Sequence, residues 1–183
     1  MTASLAITNA RIVDPIAGAV TSGGILLRDR RIAAVGDIDI PPGVEMIDAQ
    51  GAHVAPGLVD LGIFAIDMPA FTAGGITRAV LMPEQSPPLD HAALVQRAAA
   101  AGKPDLWIHP LAAATKGLHG TEMAEMGLMK AAGACAVSTG RGWIADSGVM
   151  HRVLSYAHAL DLPVVAHAED GGITAGAVAT EGE

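Results

Sequence analysis

From about residue 54 onward, continuous apolar runs alternate with longer segments of helical period, and few arrangements of a chain can bury both. Leu58 to Phe64, Ile76 to Met82, Leu106 to Leu111, Ala134 to Ser138 and Leu162 to Ala168 are short and almost wholly apolar. Such runs suit strands covered on both faces, since a strand with one wet face alternates apolar with polar residues. Between them lie three helical stretches. Asp90 to Ala101 begins at an acidic cap candidate and stops at Gly102, and Glu122 to Ala132 stops at Gly133. Ser147 to Leu160 carries Val149, Met150, Val153, Leu154 and Ala157 on one side and follows a cap at Asp146-Ser147. Strand–helix alternation makes an α/β parallel sheet. An open doubly wound sheet and a closed barrel both satisfy the pattern. Either places its chemistry at the C-terminal ends of its strands, and Pro83-Glu84, Thr139 and His167-Ala168-Glu169-Asp170 fall there, with His109 inside the third strand.

Residues 1–53 have another rhythm. Leu5 to Ile7, Arg11 to Val13, Gly24 to Arg28, Arg31 to Gly36 and Glu45 to Asp48 are short β segments punctuated by Gly, Pro and Asp, the form of a small antiparallel sheet or sandwich. Asp29-Arg30-Arg31 fits a hairpin connection. The expected organisation is an N-terminal β segment over 1–53 and an α/β region over 54–183. Aromatic residues are only 3% of the chain, so the core must be built from Ala, Val, Ile, Leu and Met.

Charge and targeting signals narrow the function classes. A formal charge of −8 is the wrong sign for nucleic acid, which needs clustered Lys and Arg. The longest apolar candidate for a membrane span, Val54 to Phe71, is interrupted by Asp60, Asp67 and two prolines. The N-terminus lacks a basic segment followed by an apolar one, so the expectation is a cytoplasmic protein with no membrane role. Cys135 sits in an apolar run, is the only cysteine and reads as a small buried hydrophobe.

An ordered series of motifs resembles the dihydroorotase branch of the cyclic amidohydrolases. The opening strand Leu5-Ala6-Ile7-Thr8-Asn9-Ala10-Arg11-Ile12-Val13-Asp14, the run Ile32 to Gly36, and Val54-Ala55-Pro56-Gly57-Leu58-Val59-Asp60 carry it first. Ala73-Gly74-Gly75-Ile76-Thr77, Met82-Pro83, Thr115-Lys116-Gly117-Leu118, Glu122 to Gly127, Asp146-Ser147 and His167-Ala168-Glu169-Asp170 continue it in order. The resemblance implies a (β/α)8 TIM-type barrel, of which the first five strands are present, with a small β-sandwich built partly from the N-terminal segment. It also implies metal-assisted hydrolysis or closure of a cyclic amide, with a hydroxide on the metal and a carboxylate moving the proton. A barrel of eight strands needs more chain than this, so the 183 residues are expected to be part of a longer protein.

The chain departs from the family where the metal would be held. The pattern Asp-Leu-His-x-His reads here Asp60-Leu61-Gly62-Ile63-Phe64, and neither Gly62 nor Phe64 can ligate a metal. Glu84 stands where the family commonly has an Asn. The stretch expected to carry a bridging lysine or aspartate reads Ser138-Thr139-Gly140-Arg141-Gly142, and a cation there repels divalent metal. His167 alone matches a ligand position. Only about a dozen residues, Ala65 to Gly75, join the first two strands, so the first helix is expected to be reduced or lost.

Each candidate also has an ordinary role. His167 is a retained ligand or a hydrogen-bonded histidine at a strand end. Glu84, His109 and Glu169 line a substrate pocket, or end strands and cap loops. Lys116 contacts an anion or is a loop lysine, and Ala73-Gly74-Gly75 is explained by tight helix–strand packing. Two functions follow from the resemblance. One is a non-catalytic, structural dihydroorotase homologue of pyrimidine biosynthesis, without cofactor, assembling with aspartate carbamoyltransferase or with copies of itself. The other is an active metal-dependent cyclic amidohydrolase, dihydroorotase or hydantoinase-like, with a rearranged zinc site.

Overall fold

The computed structural model describes residues 4–174; Met1 to Ala3 and the closing segment through Glu183 lie outside them. The described residues divide into two compact units between Pro56 and Gly57.

The first unit is one mixed five-stranded sheet: β1 (Ser4–Asp14), β2 (Ala19–Arg28), β3 (Arg31–Gly36), β4 (Glu45–Asp48) and β5 (His53–Val54). β1 is its axis, antiparallel to β2 and parallel to both β4 and β5. Val54 pairs with Ile12, which keeps this residue in the N-terminal sheet. The β2–β3 connection is the expected hairpin: Asp29 and Arg30 both have positive φ, 51° and 62°, between the paired Arg28 and Arg31. Two such residues in a row give a turn whose twist matches that of the flanking strands. Ala10, Ile12 and Ile25 are buried, and beside them opens an apolar groove of about 660 Å³ lined by Ile12, Ile16, Ile25, Ile32, Val35 and Val54.

The second unit is a curled parallel sheet with its helices: β6 (Leu58–Ile63), α1 (Met68–Ala73), β7 (Ile76–Leu81), α2 (Ala92–Ala100), β8 (Trp107–Ala113), α3 (Met126–Ala131), β9 (Ala136–Ser138), α4 (Ser147–Ala159), β10 (Val164–Val165) and α5 (Gly171–Thr174). The strands lie side by side in chain order, all parallel. A doubly wound sheet reverses its strand order at a switch point, and this sheet has no reversal among the described residues. The order therefore resolves the alternative the sequence left open, in favour of the barrel type.

Local chemistry explains α1 to α4 and corrects four expectations. α1 exists but has only six residues: Asp67 accepts a hydrogen bond from the Ala70 N–H at 3.1 Å, Pro69 lies in the first turn, and Gly74 ends it. Gly75 is there for its φ of +69° and not for tight packing, since a Cβ at that position would meet nothing within 4 Å. α2 is capped by His91, whose Nδ1 accepts from the Ala93 N–H at 3.3 Å. The neighbouring Asp90 instead accepts from the Gly117 N–H at 2.8 Å and so holds the loop after β8. α3 is shorter than its periodicity suggested. Residues 122–124 are extended because they pair back on the strand exit: Lys116 N–H donates to the Glu122 carbonyl, and Ala124 N–H to that of Ala114. Cys135 is exposed in this chain, contrary to the buried role read from its neighbours.

Two apolar clusters hold the unit. One joins Ile63, Ala79, Leu81 and Ile108 of the sheet to Val95 and Ala98 of α2. The other sets Val137 of β9 against Val149, Val153 and Ala157 of α4. No helix of the described residues is long and apolar enough to cross a membrane.

The start of α4 is tied by the Asp146 carboxylate, which accepts from the Val149 N–H at 3.0 Å. Asp146→Ala should lower unfolding free energy by about 1 kcal/mol, read from the urea midpoint at constant m.

Candidate functional site

Parallel strands in register deliver their C-terminal ends to one rim. At that rim β6 runs into Phe64, β7 into Met82-Pro83-Glu84, and β9 into Thr139-Gly140-Arg141. Gln85 ties the first two exits together: its side-chain amide donates to the Phe64 carbonyl at 3.1 Å and to the Met82 carbonyl at 3.0 Å. Gly140 adopts φ +72°, and a Cβ there would sit 3.2 Å from Leu118 and 3.4 Å from a Glu84 oxygen.

Three side chains meet at this rim. The Arg141 guanidinium carbon lies 4.1 Å from the centre of the Phe64 ring, and Arg141 Nε lies 4.0 Å from Glu84 Oε1. The Arg141 side chain is 71% exposed and that of Glu84 only 20%. Both Glu84 carboxylate oxygens are covered and accept no hydrogen bond. A covered carboxylate without donors is costly, whereas an exposed arginine loses little solvation.

His167 follows β10 by two residues. Its Nε2 is 2.8 Å from Glu169 Oε2, and its backbone N–H donates to the buried Thr139 Oγ1 at 3.1 Å. These two carry the features of a hydrogen-bonded strand-end histidine. His109 lies elsewhere: it is opposite Val80, well before the end of β8, with Nε2 3.3 Å from Arg78. The structure thus pairs His167 with Glu169, sets Glu84 with Arg141 and Phe64, and leaves His109 out of both groups. Lys116 is ion-paired with Glu122, which raises its pKa above the ordinary lysine value.

A catalytic zinc usually takes three protein ligands and keeps an open position. Among the described residues no group of three or more His, Cys, Asp or Glu is placed to hold a metal. The described residues by themselves do not supply the donor set of a zinc site. Packing leaves room for a side chain at the first strand: a Cβ at Gly62 would meet nothing within 4 Å, and the Gly62 N–H is bonded to Asp60.

Sequence reading singled out Arg141 as a cation in the wrong place for a metal, but missed what it touches. The available signal was that Phe64, Glu84 and Arg141 all depart from the family pattern, at the ends of three different strands.

The curled parallel sheet is shared with cyclic amide hydrolases of known structure. The chain is similar in fold to an L-hydantoinase from Arthrobacter aurescens, with a TM-score of 0.74 at 23% identity, covering 94% of this chain and 42% of that one. On a dihydroorotase crystal structure the TM-score is 0.62 at 18% identity, covering 92% and 52%. The sequence profile of the family described as Dihydro-orotase-like matches residues 50–183, so the chain belongs to the dihydroorotase-like family. It is similar to dihydroorotases of Syntrophotalea carbinolica, at 37% identity over 96% of this chain, and of Pelotomaculum thermopropionicum, at 36% over 97%. The chain spans 45% of the length of each, about half of those relatives.

Two outcomes follow from this geometry. Gly62→Ala, at a backbone that a side chain can adopt, should stabilise by about 0.4–1 kcal/mol in chemical denaturation. Cys135 is exposed as a residue, but its thiol is partly covered, and that desolvation raises its pKa. Its alkylation at pH 7.5 should therefore be slower than that of a free thiol, with a rate that keeps climbing above the usual thiol range, as followed by mass spectrometry across pH.

Proposed function

We propose that this chain is part of a non-catalytic dihydroorotase-like protein of pyrimidine biosynthesis, acting structurally in the cytoplasm. The observation that carries this reading is the content of the strand-end rim. Phe64, Arg141 and Glu84 meet where the family resemblance expects an imidazole, a bridging ligand and an Asn, and His167 is engaged by Glu169. A guanidinium close to the expected metal position repels a divalent ion directly. The scaffold partner that the resemblance suggests is aspartate carbamoyltransferase, with self-association as the other form of assembly. In the same reading, the N-terminal sheet is one layer of a small β-sandwich, whose second layer would cover the apolar groove.

A second reading keeps activity. The side chain of His167 is 43% exposed, and the curated relatives are named dihydroorotases. His167 could then join ligands from outside the described residues in a rearranged zinc site of a cyclic amidohydrolase.

Metal content of the intact protein, measured beside carbamoyl aspartate cyclisation and hydantoin hydrolysis, separates the two. The non-catalytic reading expects less than stoichiometric zinc and no turnover above buffer. One or two tightly held metals with turnover, both lost in His167→Ala, would establish the second reading and sink the first.

A further inference from the structure

We infer that Arg141 is the resident cation of the strand-end rim: its guanidinium, stacked on Phe64, neutralises the buried Glu84 carboxylate and holds the exits of β6, β7 and β9 together. This inference rests on the non-catalytic reading for its place in function, but its physical content can be tested separately.

Three observations carry it. The first is demand: both Glu84 oxygens are covered and accept no hydrogen bond, so an ionised Glu84 needs a cation. The second is supply: among the described residues, the one ion pair found for Glu84 is with Arg141. The third is the aromatic face. The 4.1 Å spacing over Phe64 is close enough for a planar guanidinium to stack, and stacking orients its donors. Phe64 thus acquires a task at a position where its lack of ligating atoms had looked like simple loss.

Backbone geometry supports the same arrangement. Gly140 turns the chain at φ +72°, between Ser138-Thr139 and Arg141, and the space beside it is already filled by Leu118 and Glu84. A larger residue would press on the carboxylate and strain the turn that returns Arg141 to the rim. Exposure of Arg141 argues that the pair adds little when both partners are compared with water. The asymmetry lies in removal: losing the arginine leaves a covered charge, while losing the charge leaves a solvated arginine.

That asymmetry gives the test, a double-mutant cycle on the intact protein with Glu84→Gln, Arg141→Gln and the pair, read by thermal unfolding. Arg141→Gln alone should lower the melting temperature by about 4 °C or more, and by less than about 1 °C in the Glu84→Gln background. If Arg141→Gln does not fold, the double variant should restore folding. Phe64→Leu should also remove the ring-current shift of the Arg141 Nε–Hε resonance, a readout that general loosening of the rim would not move selectively. Additive losses, an Arg141→Gln variant as stable as the parent, or an Arg141 resonance indifferent to Phe64 would each overturn the inference. Zinc is measured on the same samples: tight zinc in the parent protein defeats the non-catalytic reading, whereas additivity in the cycle defeats the resident cation.

Discussion

The parallel hydrogen-bond ladder from β6 to β10 is the constraint on which the rest of the second unit depends. Each strand pairs with the next in chain order, so every crossover must carry the chain back along the outside before the next strand begins. Repeating one step four times curls the sheet and collects the strand exits at one rim. The apolar clusters then follow, since the outward residues Ala79, Leu81, Ile108 and Val137 need the helices that the crossovers supply. Even the six-residue α1 satisfies this demand, because Phe71 buries its ring in the same cluster.

At the rim the physics changes from burial of apolar surface to compensation of charge. A metal centre solves the problem of covered carboxylates with a divalent ion held by several donors. Here a covered carboxylate faces an arginine seated on an aromatic ring, and the histidine nearby is engaged by its own glutamate. The fold is that of the family, while the described residues bring no set of three metal donors together at this rim. Fold and chemistry are separable in this family, and the chain's kinship with dihydroorotases does not by itself assign it their reaction.

Much of the fold was legible in the sequence because its signals are local and repeated. Continuous apolar runs, helical periods and Gly stops marked β6 to β9 and α4 without any knowledge of partners. What escaped depends on contacts between segments far apart in the chain. Asp90 looked like a cap, and His91 took that role because Asp90 was claimed by Gly117, 27 residues away. Glu122 to Glu125 had a helical pattern, yet pairing with Thr115 and Lys116 drew most of it into an extended arm. The site shows the same split. Departures from the expected motif at single positions could be read directly, whereas the union of Phe64, Glu84 and Arg141 required three strand ends to be brought together.

Gln85 gives the rim one further property. Its amide fastens the exits of β6 and β7 through two backbone carbonyls, a neutral clasp made entirely of protein atoms. Where a metal centre fastens strand ends, a chelator can unfasten them, and shape then depends on supply of the ion. A clasp of this kind is indifferent to chelation and to metal starvation. The fastening of the β6 and β7 exits to each other therefore needs no bound ion, because both ends of the clasp are backbone carbonyls.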